Sequence, residues 1–161
     1  MRALLGLILL AAVARADPPK PAPPVAPQPP KPASPYEGEG WRVKVEAPKS
    51  VMAGQKSGLD VSVEARGGFH LNDDYPINFQ ATMRDGVDYE RTRVDKAAAT
   101  LSPCKDGEHA CAAKLPLSFV AKTEGAQKIG GTFAFAVCDE TKCVIEKVPV
   151  AVDVAVSSTV R

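Results

Sequence analysis

Two strand-like segments, Lys128 to Cys138 and Cys143 to Val156, are separated only by Asp139-Glu-Thr-Lys142, with a cysteine at each margin of that interval. Apolar runs joined by so short a polar stretch favour an antiparallel hairpin with the cysteines opposite each other. Opposed residues in such a pair lie about 4.5 to 5.5 Å apart at Cα, within the range a disulfide accepts. The spacing therefore predicts a bridged turn at the tip of a long hairpin.

Side chains alternate between the two faces of a strand, so parity predicts where the bridge points. Phe133, Phe135 and Val137 share one face, and Val144, Val148 and Val150 match it on the second segment. Cys138 falls with Thr132, Ala134 and Ala136, and Cys143 with Lys147. The bridge is thus expected on the less apolar face, provided that Pro149 does not introduce a bulge. A loop this short contributes only about 2 kcal/mol in the chain-entropy account of disulfides, a weak return for a structural staple.

The rest of the chain from Tyr36 onward has the same period. Trp41, Val43 and Val45 alternate with polar residues, as do Leu59, Val61 and Val63. Short strands are expected around Phe69 to Leu71, Ile77 to Met83, Val87 to Tyr89 and Leu115 to Ala121, punctuated by Gly67-Gly68, Asn72-Asp-Asp74, Asp85-Gly86, Gly125 and Gly130-Gly131. The one helix candidate, Asp95 to Thr100, has three alanines but is stopped by Ser102-Pro103. These elements predict an all-β fold, an immunoglobulin-like antiparallel β-sandwich spanning 37–157.

The N-terminus reads as an export signal over 1–16. Arg2 is followed by the apolar run Leu4 to Val13, and Ala14-Arg15-Ala16 supplies small residues for cleavage after Ala16. That run is too short for a permanent span. The stretch 17–36, rich in Pro, Ala and Lys, predicts a disordered, extended tether, with a PxxP recognition segment as the rival reading. Loss of Arg2 and Arg15 with the leader leaves 18 basic and 19 acidic side chains, so nothing attracts nucleic acid or an anionic membrane. A soluble, monomeric, periplasmic protein in a disulfide-permissive compartment is expected.

A second pair, Cys104 and Cys111, brackets Lys-Asp-Gly-Glu-His-Ala. A disulfide closing a surface loop is the plainest reading. A zinc site with His109 would have six intervening residues instead of the usual two to four, and four cysteines allow three connectivities. His70 reads as a packed or surface histidine rather than a base. Asp73 and Asp74, like Asp139 and Glu140, read as solvated turn carboxylates. Asp139 and Glu140 disfavour a thiolate at Cys138, whereas Lys142 favours one at Cys143. No nucleophile elbow, P-loop, HExxH or glycine-rich nucleotide signature occurs, and no cofactor or metal is expected.

Gly68-Phe-His-Leu-Asn-Asp-Asp-Tyr75, Leu115-Pro-Leu-Ser-Phe119, Phe133-Ala-Phe-Ala-Val-Cys138, Cys143 and Val148-Pro-Val-Ala-Val-Asp-Val154 together resemble the N-terminal periplasmic domain of the thiol:disulfide interchange protein DsbD, over most of residues 37–156. The resemblance implies an immunoglobulin-like fold that passes electrons to periplasmic thioredoxin-like or other thiol proteins. It implies Cys143 as the attacking thiol and Cys138 as the resolving one. The chain departs from that family after the second cysteine, where Val144-Ile-Glu-Lys147 replaces a proline-rich step. It also has no aromatic residue between Tyr89 and Phe119, where the family carries an aromatic, acidic cap; Cys104 to Cys111 lies there instead. Two readings follow: an exported thiol-disulfide exchange module, or an exported immunoglobulin-like adaptor whose disulfides only stiffen loops.

Overall fold

The computed structural model describes residues 36–72 and 74–158. The expected leader, nearly all of the tether, and Asp73 lie outside the described residues. Twelve strands follow in order: β1 (Tyr36–Gly38), β2 (Trp41–Glu46), β3 (Ser50–Met52), β4 (Lys56–Ala65), β5 (His70–Leu71), β6 (Asn78–Ala81), β7 (Val87–Tyr89), β8 (Arg93–Asp95), β9 (Thr100–Pro103), β10 (Ala110–Ala121), β11 (Gly125–Cys138) and β12 (Cys143–Ser157). Tyr36, assigned to the tether from composition, is the first residue of β1.

One sheet has the order β1-β2-β4-β10-β7, with β9 also on β10; the other runs β3-β12-β11-β6-β8, with β5 also on β11. The β2-β4-β10-β7 and β12-β11-β6 sets reproduce the two sheets of an immunoglobulin-like sandwich in chain order. Not every pairing is antiparallel, because β3 runs parallel to the end of β12 through Ser50 to Met52. The helix candidate is reduced to a single 3₁₀ turn, Lys96–Ala98, with the Asp95 carboxylate accepting from the Ala97 amide. Helix nucleation is costly, and Thr100 to Pro103 instead pair with β10, so the alanines have no room for a second turn.

Inward residues of both sheets close one core. Val43, Val61, Leu115, Phe79, Phe133 and Phe135 are fully buried, and Trp41 sets its ring edge on Phe135 at 5.3 Å between centroids. The Trp41 indole donates to Glu146 at 3.1 Å, which satisfies an acidic residue on the inward parity of β12.

The β11/β12 ladder is unbroken from Gly125↔Val156 to Cys138↔Cys143, so Pro149 does not shift the register. The ladder geometry explains its tolerance. Both the amide and the carbonyl of Ala151 turn away from β11 to the Tyr36 hydroxyl, at 3.1 and 3.4 Å. Pro149, two residues earlier, has the same parity, so its missing N–H lies on the outer edge, where β3 does not reach. On the other side of the ladder, Tyr89 serves Gly130 in the same way, at 3.2 and 3.3 Å. Gly130 and Ala151 are register partners, so two tyrosines from one sheet hold a single rung of the other.

Candidate functional site

The hairpin tip is organised by Asp139. Its carboxylate accepts from the Thr141 amide and hydroxyl, both at 2.7 Å, and from the Lys142 amide at 2.9 Å. These bonds, from the Thr141 amide first, hold the Asp139 carboxyl below its ordinary value. An Asx-type turn of this kind needs no residue at positive φ, and only glycines have one among the described residues.

The Asp139 amide donates to the Lys142 carbonyl at 2.9 Å. Residues 139 and 142 are thus a hydrogen-bonded pair and 138 and 143 the next, non-hydrogen-bonded pair, the class in which Cα atoms come closest. Cys138 and Cys143 form a disulfide, with Cα atoms 4.0 Å apart. Cys104 and Cys111 form the other, so their sulfurs are bonded to each other and are not thiolate ligands in this form. No described cysteine is free.

Parity holds as well. Phe133, Phe135 and Val137 belong to the core, and the Cys138–Cys143 bridge lies on the opposite face of the sheet. The two sulfurs are not equivalent there. Cys138 sits on an interior strand, between Cys143 on one side and His70 of β5 on the other, and is 5 % exposed. Cys143 is exposed, because β12 is the edge of its sheet at this end. Ile145, two residues along on the same face, is 60 % exposed.

Asn72 approaches the bridge from beyond β5. Its amide donates to the Ala136 carbonyl at 2.9 Å, and its side-chain oxygen accepts from the Asp74 and Tyr75 amides, each at 2.8 Å. Its Nδ2 is directed at both sulfurs, 3.0 Å from Cys138 Sγ and 3.6 Å from Cys143 Sγ. The sequence marks Asn72 only as a turn residue. Its Asx-turn bonding is a local signal, but the sulfurs it meets are remote in sequence.

The Cys104–Cys111 loop reaches the same end of the sandwich. His109 stacks on His70 with centroids 4.0 Å apart and planes 15° from parallel. The Cys104 amide donates to the His109 carbonyl at 2.7 Å, which closes the loop behind the ring. His70 is therefore a packed histidine that links Cys138 to this loop.

Lys142 is placed differently from its sequence reading. Its ammonium turns to Glu39 in the β1–β2 turn at 2.5 Å, and that hydrogen bond raises its pKa above the ordinary value. The charge is thereby offset by a carboxylate instead of being held for Cys143, and an exposed pair of this kind adds little stability. Asp74 lies in the Asn72 turn, and no cluster of three or more His, Cys, Asp or Glu side chains suited to a metal ion occurs among the described residues. No helix among them is long and apolar enough to cross a membrane.

No protein-family model matches the chain, and no curated protein matches it. Among solved structures, it is similar to a cohesin module from a Clostridium perfringens ATCC13124 family 33 glycoside hydrolase, at 7% identity and a TM-score of 0.42, covering 73% of this chain and 96% of that one.

Proposed function

We propose that the chain is an exported thiol-disulfide exchange module in which Cys138 and Cys143 cycle between disulfide and dithiol. The observation that carries this reading is the asymmetry of the bridge: Cys143 is an exposed residue at a sheet edge, and Cys138 is buried with a hydrogen-bond donor 3.0 Å from its sulfur. A partner thiolate attacks Cys143 Sγ, forming a mixed disulfide as the Cys143–Cys138 bond breaks and its electron pair passes to Cys138. A second partner thiolate then displaces Cys143. The partner dithiol becomes a disulfide, and two electrons reside on the Cys138/Cys143 pair. Run in reverse, Cys143 attacks a partner disulfide and Cys138 resolves the intermediate.

The resemblance to the DsbD N-terminal domain supports the same roles, and it suggests periplasmic thioredoxin-like proteins as partners. Two disulfides in one small domain fit an oxidising compartment. The exposed Ile145 beside Cys143 supplies apolar surface on which such a partner could seat.

The decisive experiment pairs the reduction potential of the Cys138–Cys143 bond with trapping by a Cys138→Ala variant. Exchange predicts a potential well above about −300 mV and a mixed disulfide through Cys143. A lower potential, with no partner captured, would instead identify an adaptor domain with structural bridges.

A further inference from the structure

The Asn72 carboxamide has a role that neither the hairpin nor the resemblance assigns. Building on the exchange reading, we propose that it is a catalytic group that receives the charge developing on Cys138 Sγ and so directs incoming thiolates to Cys143. Its orientation is fixed by bonds of its own. The side-chain oxygen is committed to the Asp74 and Tyr75 amides and the backbone amide to Ala136, so the NH₂ group must face the sulfurs.

The distances discriminate between the two sulfurs, with Nδ2 0.6 Å nearer to Cys138 than to Cys143, at 3.0 against 3.6 Å. A disulfide sulfur is a weak acceptor and a thiolate a strong one, so this bond strengthens as the S–S bond breaks. Cys138 needs such a donor. At 5 % exposure its thiolate receives little help from water, and Lys142, the nearby cation of the hairpin, is engaged by Glu39.

Thiol-disulfide exchange is faster when the departing thiol has the lower pKa, and it depends on which sulfur is accessible. Asn72 and burial therefore act in the same direction. Attack at exposed Cys143 expels the sulfur that Asn72 stabilises, whereas attack at Cys138 would have to enter a sheltered position and expel the less supported sulfur. The electrons of the broken bond remain on Cys138 Sγ until the sulfur is protonated or resolves the mixed disulfide.

The test uses the full chain carrying Cys143→Ser, in which Cys138 is the lone thiol beside an intact Cys104–Cys111 bridge. The Cys138 pKa is read from the pH dependence of thiolate absorbance with Asn72, Asn72→Ala and Asn72→Asp. The aspartate retains an oxygen for the Asp74 and Tyr75 amides and removes the donor, which separates the effect from loss of the turn. We expect the pKa to rise by about one unit in the alanine variant and by more in the aspartate variant. With both hairpin cysteines present, reduction by a small dithiol should slow about threefold in the alanine variant and by more in the aspartate variant. An unchanged Cys138 pKa in a correctly folded Asn72→Asp protein would overturn the proposal. A shifted pKa with no protein ever trapped through Cys143 would uphold the role of Asn72 while removing the exchange reading; a trapped partner with an unchanged pKa would do the reverse.

Discussion

His109 lies flat on His70, 4.0 Å between ring centroids, and His70 is the cross-strand neighbour of Cys138. The second disulfide thus stiffens a loop whose histidine ring stacks on the strand neighbour of Cys138.

Replacing Cys104 and Cys111 together by alanine should leave the sandwich folded, at a cost of about 2 to 3 kcal/mol by loop entropy. After reduction of the remaining pair, Cys138 should be alkylated several-fold faster than in the parent, read by mass spectrometry after timed quenching. Identical alkylation rates would show that the loop does not protect the site.

Ile145 is 60 % exposed on the face that carries Cys143, so Ile145→Glu should change stability by no more than about 0.5 kcal/mol. It should nevertheless reduce the yield of the mixed disulfide trapped through Cys143, while reduction by a small dithiol proceeds at the parent rate. An equal yield of trapped complex would remove this residue from the partner surface.

The Asp139 carboxyl, held below 3.8 by the Thr141 and Lys142 donors, gives the hairpin tip an acid sensitivity. With a folded pKa below the unfolded one, its contribution is present above 3.8 and is lost as pH falls through the depressed value. Asp139→Ala should therefore loosen the turn at neutral pH and make the Cys138–Cys143 reduction potential less negative. The difference between parent and variant should shrink at acid pH, measured by exchange equilibria against a reference dithiol.

Tyr89 is expected to mark the alkaline limit of the fold. Burial raises its hydroxyl above 10.0, against a smaller opposing effect of the bond to Gly130. Because the folded state then holds the proton more tightly, stability falls as pH rises through 10.0 toward the folded value. Tyr89→Phe should flatten that part of the pH dependence while costing about 1 to 3 kcal/mol at neutral pH, since it leaves the Gly130 amide without the hydroxyl. Tyr36→Phe should cost a similar amount through Ala151. Urea titration of both variants across pH provides the check.

Much of the fold was legible because it is written with a period of two. Trp41, Val43, Leu59, Val61, Phe133, Phe135 and Val148 all lie on the predicted inward parity, and Cys138 opposes Cys143 as their spacing required. Elements lacking that pattern were less legible. The strands β1, β3, β8 and β9 are short, and their own residues alternate over too few positions to announce a strand. The three alanines after Lys96 favour a helix locally, but pairing of Thr100 to Pro103 with β10 overrides them.

The sequence by itself determined the hairpin, the opposition of its two cysteines and the face on which they lie, because neighbours along a strand settle parity and a four-residue loop settles strand pairing. Which cysteines bond was decided by the structure. Tertiary structure decided what surrounds the sulfurs. Asn72 meets Cys138 across 66 positions of chain, and His109 meets His70 only after β10 and β11 have been laid into different sheets. Contacts of that kind depend on how remote strands pack against each other, and no local periodicity encodes them.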